Sequence, residues 1–96
     1  MRWTWDPDKN RENRRRHGLS FRLAMLVFED PLAATRPDLH VREERWHTVG
    51  RIHDVLVLVV HTWPARDAAT GQEVGRIISA RKATLRERKA YEEGEF

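Results

Sequence analysis

Cysteine is absent from the 96-residue chain. That removes disulfide frameworks, thiolate zinc sites, iron–sulfur clusters and cysteine nucleophiles together. Serine is almost as scarce: Ser20 and Ser79 stand alone, and neither sits in the Gly-x-Ser-x-Gly setting of a nucleophile elbow. No glycine-rich phosphate loop is present. No apolar run exceeds the six residues of Val55 to Val60, which is far too short to span a bilayer. The opening Met1-Arg2-Trp3-Thr4-Trp5-Asp6-Pro7 carries an arginine but no apolar stretch after it, so a secretory signal is not expected. Secretion and membrane insertion are not expected, and a reducing, cytoplasmic setting is.

Lysine is also rare, with 15 Arg to 3 Lys, and the formal charge is +3. An arginine fork matches phosphate and carboxylate bidentately, where lysine acts as a point charge. The cations are unevenly placed: the window 76–89 holds six basic residues (76, 81, 82, 86, 88, 89) against one acid, Glu87. Such a cluster points to a polyanionic partner. The length allows one domain over 1–96, with a modest core.

The hydrophobic pattern gives the order βαα, then ββββ, then α. Arg2-Trp3-Thr4-Trp5 reads as a short strand with both tryptophans on one face. Asp6 caps a helix with Pro7 at its first position and Gly18 past its end; its interior, Lys9 to Arg16, is polar and is expected on the surface. Ser20 caps a second helix, with Phe21, Ala24, Met25 and Phe28 on its core face, stopping before Pro31. Ala33 to Leu39, interrupted by Pro37, suits an edge strand. A strand over about 42–49 and a turn over 50–54 follow. Val55 to Thr62 is apolar on both faces and is expected at the centre of the sheet. Trp63 to Gly75 reads as a mobile polar loop, Val74 to Arg81 as a strand, and Thr84-x-x-Glu87 as a capping box opening a final helix that ends at Gly94. Helices before and after a run of strands argue for an α+β fold with a largely antiparallel sheet.

His40, His47, His53 and His61 fall on different elements without metal-ligand spacing, so neither a metal nor a cofactor is expected. What remains is charge placed in strands: Glu44, Arg45, His61, Arg76 and Arg81. Strict alternation puts Arg76 and Arg81 on opposite faces unless a bulge intervenes. Glu44 and an arginine can form a cross-strand ion pair, or these residues can line an open face that binds phosphate. Cleaving an RNA phosphodiester without metal needs a base for the 2′-OH, an acid for the 5′-oxygen and cations for the phosphorane-like charge. Glu44 or His61 could serve as base or acid, with Arg45, Arg76, Arg81 and Lys9 as charge stabilisers. His61 could equally be a hydrogen-bonded structural residue. Lys82 and Arg86 would contact the nucleic acid. Arg81 is favoured among the cations, since it lies beside the N-terminus of the Thr84-capped helix.

Taken in order, Trp5-Asp6-Pro7-Asp8-Lys9, Arg16-His17-Gly18-Leu19-Ser20-Phe21, Phe28-Glu29-Asp30-Pro31, Glu44-Arg45-Trp46 with Gly50, and Arg76-Ile77-Ile78-Ser79-Ala80-Arg81-Lys82-Ala83 with Glu87 and Tyr91 resemble the BrnT family of bacterial type II toxins, relatives in fold of the RelE-like ribonucleases. The match covers almost the whole chain, departing in a longer connection between Trp63 and Gly75. The resemblance implies a toxin that cleaves RNA and blocks translation. It also implies neutralisation by a BrnA-type antitoxin in a hetero-oligomer, with DNA bound only through the antitoxin. By motif it carries over Lys9, Glu44, Arg45, Arg76 and Arg81, with His17, Trp46 and Tyr91 as weaker members; Tyr91 is placed with the RNA contacts. The alternative is a non-catalytic module of the same fold that binds an antitoxin or nucleic acid.

Overall fold

Local capping chemistry sets the helix ends. The computed structural model describes residues 1–39 and 42–96; His40 lies outside them. β1 (Arg2–Thr4) leads into α1 (Pro7–His17), whose first turn is closed by the Asp6 carboxylate accepting from the Asp8 N–H, and whose end is closed by Gly18 at φ 70°. The Ser20 hydroxyl accepts from the Leu23 N–H and starts α2 (Phe21–Ala24). The expected second helix divides here, because its latter half tightens into a 3-10 segment over Met25–Glu29. After the strands, α3 (Leu85–Glu93) opens on the full Thr84/Glu87 capping box and ends at Gly94.

Among the described residues the strands are β1, β2 (Ala34–Pro37), β3 (Trp46–Ile52), β4 (Val55–His61), β5 (Ala65–Arg66) and β6 (Glu73–Lys82). They form a mostly antiparallel sheet in the order β1-β6-β4-β3-β2, with β5 paired to β6 and only the β1–β6 pairing parallel. The doubly apolar β4 is central, and the proline-bearing β2 is an edge, as its composition requires. Val57 and Val59 pack with Phe21, Ala24, Val27, Ile77 and Ala80 in the core on the α1/α2 side. Leu56 and Leu58 are buried on the opposite side, where α3 lies.

Three boundaries differ from expectation. β3 starts at Trp46 and runs to Ile52, so Glu44 and Arg45 precede the strand, and the turn shrinks to His53-Asp54, with His53 at φ 53°. Gly50 is therefore a strand residue. Its lack of a side chain serves close approach, because a Cβ there would lie 2.7 Å from the Val27 carbonyl oxygen. The stretch after Trp63 is not a plain loop: β5 pairs with Glu73 and Val74, and Asp67 accepts the Ala69 N–H and the Thr70 hydroxyl in the turn between.

The polar helix α1 also does more than cover the surface. Asn13 is 6% exposed. Its amide donates to the Ala80 carbonyl at 2.9 Å and the Leu19 carbonyl at 3.0 Å, and its oxygen accepts from the Ala80 N–H at 3.1 Å. Ala80 lies beyond the stretch of β6 that β1 covers, so the carboxamide supplies the pairing a missing strand would have given.

Candidate active site

The end of β4 gathers most of the charged residues singled out in the sequence. Thr62 donates its N–H to the Arg76 carbonyl (3.0 Å), and its hydroxyl accepts the Arg76 N–H (2.9 Å), which pins β6 at Arg76. The next residue, Trp63, donates its N–H to Glu44 Oε1 at 3.1 Å. Glu44 thus reaches across from the approach to β3 and fixes a backbone turn, leaving its second oxygen toward solvent. Among the described residues Glu44 pairs with no arginine, and Arg81 is paired with Glu87 instead. Arg45 continues the β2–β3 ladder by one step, its carbonyl accepting from the Asp38 N–H at 2.9 Å. Its guanidinium is a third exposed, 3.8 Å from Glu43, with Nε buried and unpartnered. Trp46 beside it is half-buried, its ring 4.6 Å from that of Trp63.

His61 belongs to the same strand end but turns inward and is 2% exposed. Nδ1 lies 2.7 Å from the Thr62 carbonyl, which can only accept, so Nδ1 carries the proton. Nε2, 2.7 Å from Thr48 Oγ1, must then accept the Thr48 hydroxyl, and Thr48 in turn accepts from Thr35 at 2.7 Å. Trp3 and Phe28 stack on each other at 4.2 Å and present their rings edge-on to the imidazole. Burial pushes the His61 pKa below the ordinary histidine value, so the ring is neutral near pH 7 with both nitrogens engaged.

A bulge decides which arginines share a face. Val60 pairs with Ser79 but His61 pairs with Ile77, so Ile78 is an extra residue in β6. Regular alternation would have separated Arg76 from Arg81. With the bulge, Ile77 and Ala80 both join the core, and Arg76 and Arg81 both point to the opposite side. The β2–β3 register adds Arg36, Asp38, Arg45 and His47 to that side. α3 covers one half of it; the other, toward the end of β4, carries Arg45, Arg76 and the half-buried Val60 and Ser79.

Arg81 lies under α3. Its guanidinium makes a bidentate pair with Glu87 at 2.8 and 2.9 Å, and Glu87 Oε1 also accepts the Thr84 N–H. The Arg81 hydrogen bonds outweigh burial and hold the Glu87 carboxyl down at about 2. The helix N-terminus is thus already filled by an internal carboxylate. Lys9 is exposed on α1 and lines, with Ser79, a cavity of about 160 Å3 at the sheet edge; His17 lines it too. Lys82 and Arg86 are exposed. Tyr91 donates to Asp30 Oδ2 at 2.6 Å, and the Arg51 guanidinium lies over its ring.

The sequence reading passed over Arg36 and the Asp38–His47 pair. His47 Nε2 is 3.2 Å from Asp38 Oδ2 and its Nδ1 is buried without a partner, so both ring nitrogens face inward and the pair braces the β2–β3 edge. Their common signal was positional: Arg36 and His47 are paired strand residues, and Asp38 and Arg45 continue the same period-two pattern one step beyond the strand ends. Among the described residues, no three His, Asp or Glu side chains gather as a metal site.

Fold and surface together define a small α+β domain with a mostly antiparallel sheet, one face cored by helices and the other lined with arginine. Residues 5–87 match the family model described as the ribonuclease toxin, BrnT, of type II toxin–antitoxin systems, and the chain belongs to that family. No individually curated protein matches it.

Proposed function

We propose that this chain is a metal-independent endoribonuclease of the bacterial cytoplasm that inhibits translation and is neutralised by a BrnA-type antitoxin, meeting DNA only through that partner. The observation that carries the reading is that Glu44 holds the Trp63 N–H and Arg76 is bonded to Thr62, with Arg45 next to Glu44 in the chain. Glu44 is the base: its Trp63-bound carboxylate is oriented, and its outer oxygen takes the proton of the 2′-OH. The 2′-oxygen then forms a bond to phosphorus while the bond to the 5′-oxygen breaks, and that oxygen departs toward water, which protonates it. Arg76 and Arg45 hold the charge that grows on the non-bridging oxygens, a part a metal ion would otherwise take. His61 orients the strand end and does not exchange protons with substrate. Lys9, Lys82 and Arg86 supply phosphate contacts farther along the strand, and Tyr91 braces α3.

Purified protein incubated with RNA in excess chelator tests this. Cleavage is expected, and Glu44→Gln, which keeps an oxygen for the Trp63 N–H, should lower the rate about 100-fold or more, the usual size of a lost general base. Arg76→Ala should cost a similar factor. A requirement for added divalent cation would remove the metal-independent mechanism. The commitment of Arg81 to Glu87 and of His61 to its threonines favours a second reading, a binding module without turnover; tight antitoxin binding with no cleavage at any RNA concentration would establish it.

A further inference from the structure

On the core side of the same strand end lies a second feature. A cavity of about 260 Å3 opens beside His61, walled by Trp3, Phe28 and Trp63, with Thr35 and Thr48 at its base and Glu73 at its rim. It shares Trp63 with the Glu44 contact, and Glu73 begins the strand that presents Arg76 three residues later. Cavity and cationic face thus lie on the two sides of the sheet and meet at its Thr62–Trp63 end. The volume falls below the range of drug-sized ligand sites and suits one flat ring system. Three aromatic side chains in the walls offer the stacking by which proteins hold unpaired bases.

The threonine–histidine relay at the base of this cavity has one sense. The Thr62 carbonyl fixes the proton on His61 Nδ1, His61 Nε2 uses the Thr48 hydroxyl proton, and Thr48 uses that of Thr35. Each donor of the relay is consumed inside the protein. Thr35 keeps lone pairs alone, and the Glu73 carboxylate likewise only accepts. A ligand edge seated against Thr35 and Glu73 must donate, while the indole N–H groups of Trp3 and Trp63 in the walls leave room for an acceptor elsewhere on the ring. Guanine presents two adjacent donors, N1–H and the 2-amino group, which match the two oxygens of a carboxylate; adenine and cytosine offer one amino group, and uracil one N–H between two carbonyls.

We infer that the cavity is a nucleobase subsite that selects guanine next to the scissile phosphate. This rests on the ribonuclease reading for its position in catalysis, while base binding can be measured without turnover. The experiment titrates the protein with GMP, AMP, CMP and UMP, following the indole signals of Trp3 and Trp63 by NMR, and maps the cut sites in a mixed-sequence RNA. GMP should bind at least tenfold more tightly than the other three, and cuts should fall beside G. Trp63→Ala, which keeps the backbone N–H that Glu44 holds, should weaken all four nucleotides about tenfold, as loss of a stacking platform does. Glu73→Gln should bring GMP to the level of AMP. Equal binding of the four nucleotides, unmoved indole signals, or displacement of GMP by neither variant would overturn the subsite. Guanine-selective binding without RNA cleavage would keep it and overturn the ribonuclease reading; cleavage without any preference for G would do the reverse.

Discussion

Arg76 and Arg81 carry the same side chain on the same sheet face, and their surroundings divide their roles. Arg76 is exposed and is pinned through its backbone by Thr62, with no carboxylate partner for its guanidinium among the described residues. Arg81 meets Glu87 in a fork-to-fork pair under α3, and Arg36 approaches the same carboxylate at 4.0 Å. Removing Arg81 alone would strand a buried carboxylate, which costs about 3 kcal/mol or more. Arg81→Ala is therefore expected to lower the denaturation midpoint and to lower activity only through folding. Arg81→Ala with Glu87→Ala removes charge and partner together, and should recover most of that stability, short by about 1 kcal/mol for the lost capping box. The folded double variant should cleave RNA within about tenfold of the parent rate; a 100-fold loss, with the fold intact by circular dichroism, would return Arg81 to the reacting centre.

Between elements, the bond network of Asn13 decides the most. It links α1 to the Leu19 turn and to the open edge of β6, and the bulge at Ile78 lies two residues from its Ala80 partner. Asn13→Ala would leave the Ala80 N–H and two carbonyls buried without partners, at about 1–3 kcal/mol for each unsatisfied group. A loss of about 3 kcal/mol in total, measured by urea denaturation, is expected, along with faster hydrogen exchange at the Ala80 amide. An unchanged exchange rate there would show that water replaces the carboxamide without cost. The same residue marks where sequence ceased to be readable. The Asp6, Ser20 and Thr84/Glu87 caps, the edge strand at Pro37 and the central strand at Val55 to His61 depend on neighbours within a few positions, and all were legible. The bulge that moves Arg81 to the face of Arg76 depends on pairing partners far along the chain, as does the contact of Glu44 with Trp63. Gly50 has a steric partner, Val27, on a different element. The residue types of the candidate site were thus legible, but not its geometry: Glu44 and Arg76 were expected in strands without the turn that joins them, and His61 could be read either way until its two partners were known.

Across the whole molecule, buried titratable groups set an asymmetric response to pH. His61 has a pKa depressed by burial, so the unfolded chain takes up a proton at the ordinary value near 6.5 while the folded chain resists. Its contribution is present above that pH and is lost as pH falls below it. Glu87, held at about 2 against an ordinary 4.5 by Arg81, adds a second loss between those values, on the order of 2 kcal/mol once the partly exposed guanidinium is discounted. Asp30 acts with the same sign: burial raises its pKa, but hydrogen bonds from Tyr91 and the Arg51 and Leu32 N–H groups outweigh that and leave it lowered. At the alkaline end, burial and the Asp30 bond raise Tyr91, so the unfolded chain loses that proton first and stability declines as pH rises past about 10. Unfolding free energy should therefore hold a plateau between about pH 7 and 10 and fall in two stages on the acid side, the first beginning near 6.5 and the second near 4.5. Glu87→Gln should remove most of the second stage and leave the first, and urea denaturation across the series measures both. A flat profile from pH 7 to pH 5 would mean that His61 protonates freely in the folded protein. Below that pH the relay through Thr48 and Thr35 would then reverse, and Thr35 would donate into the aromatic cavity instead of accepting.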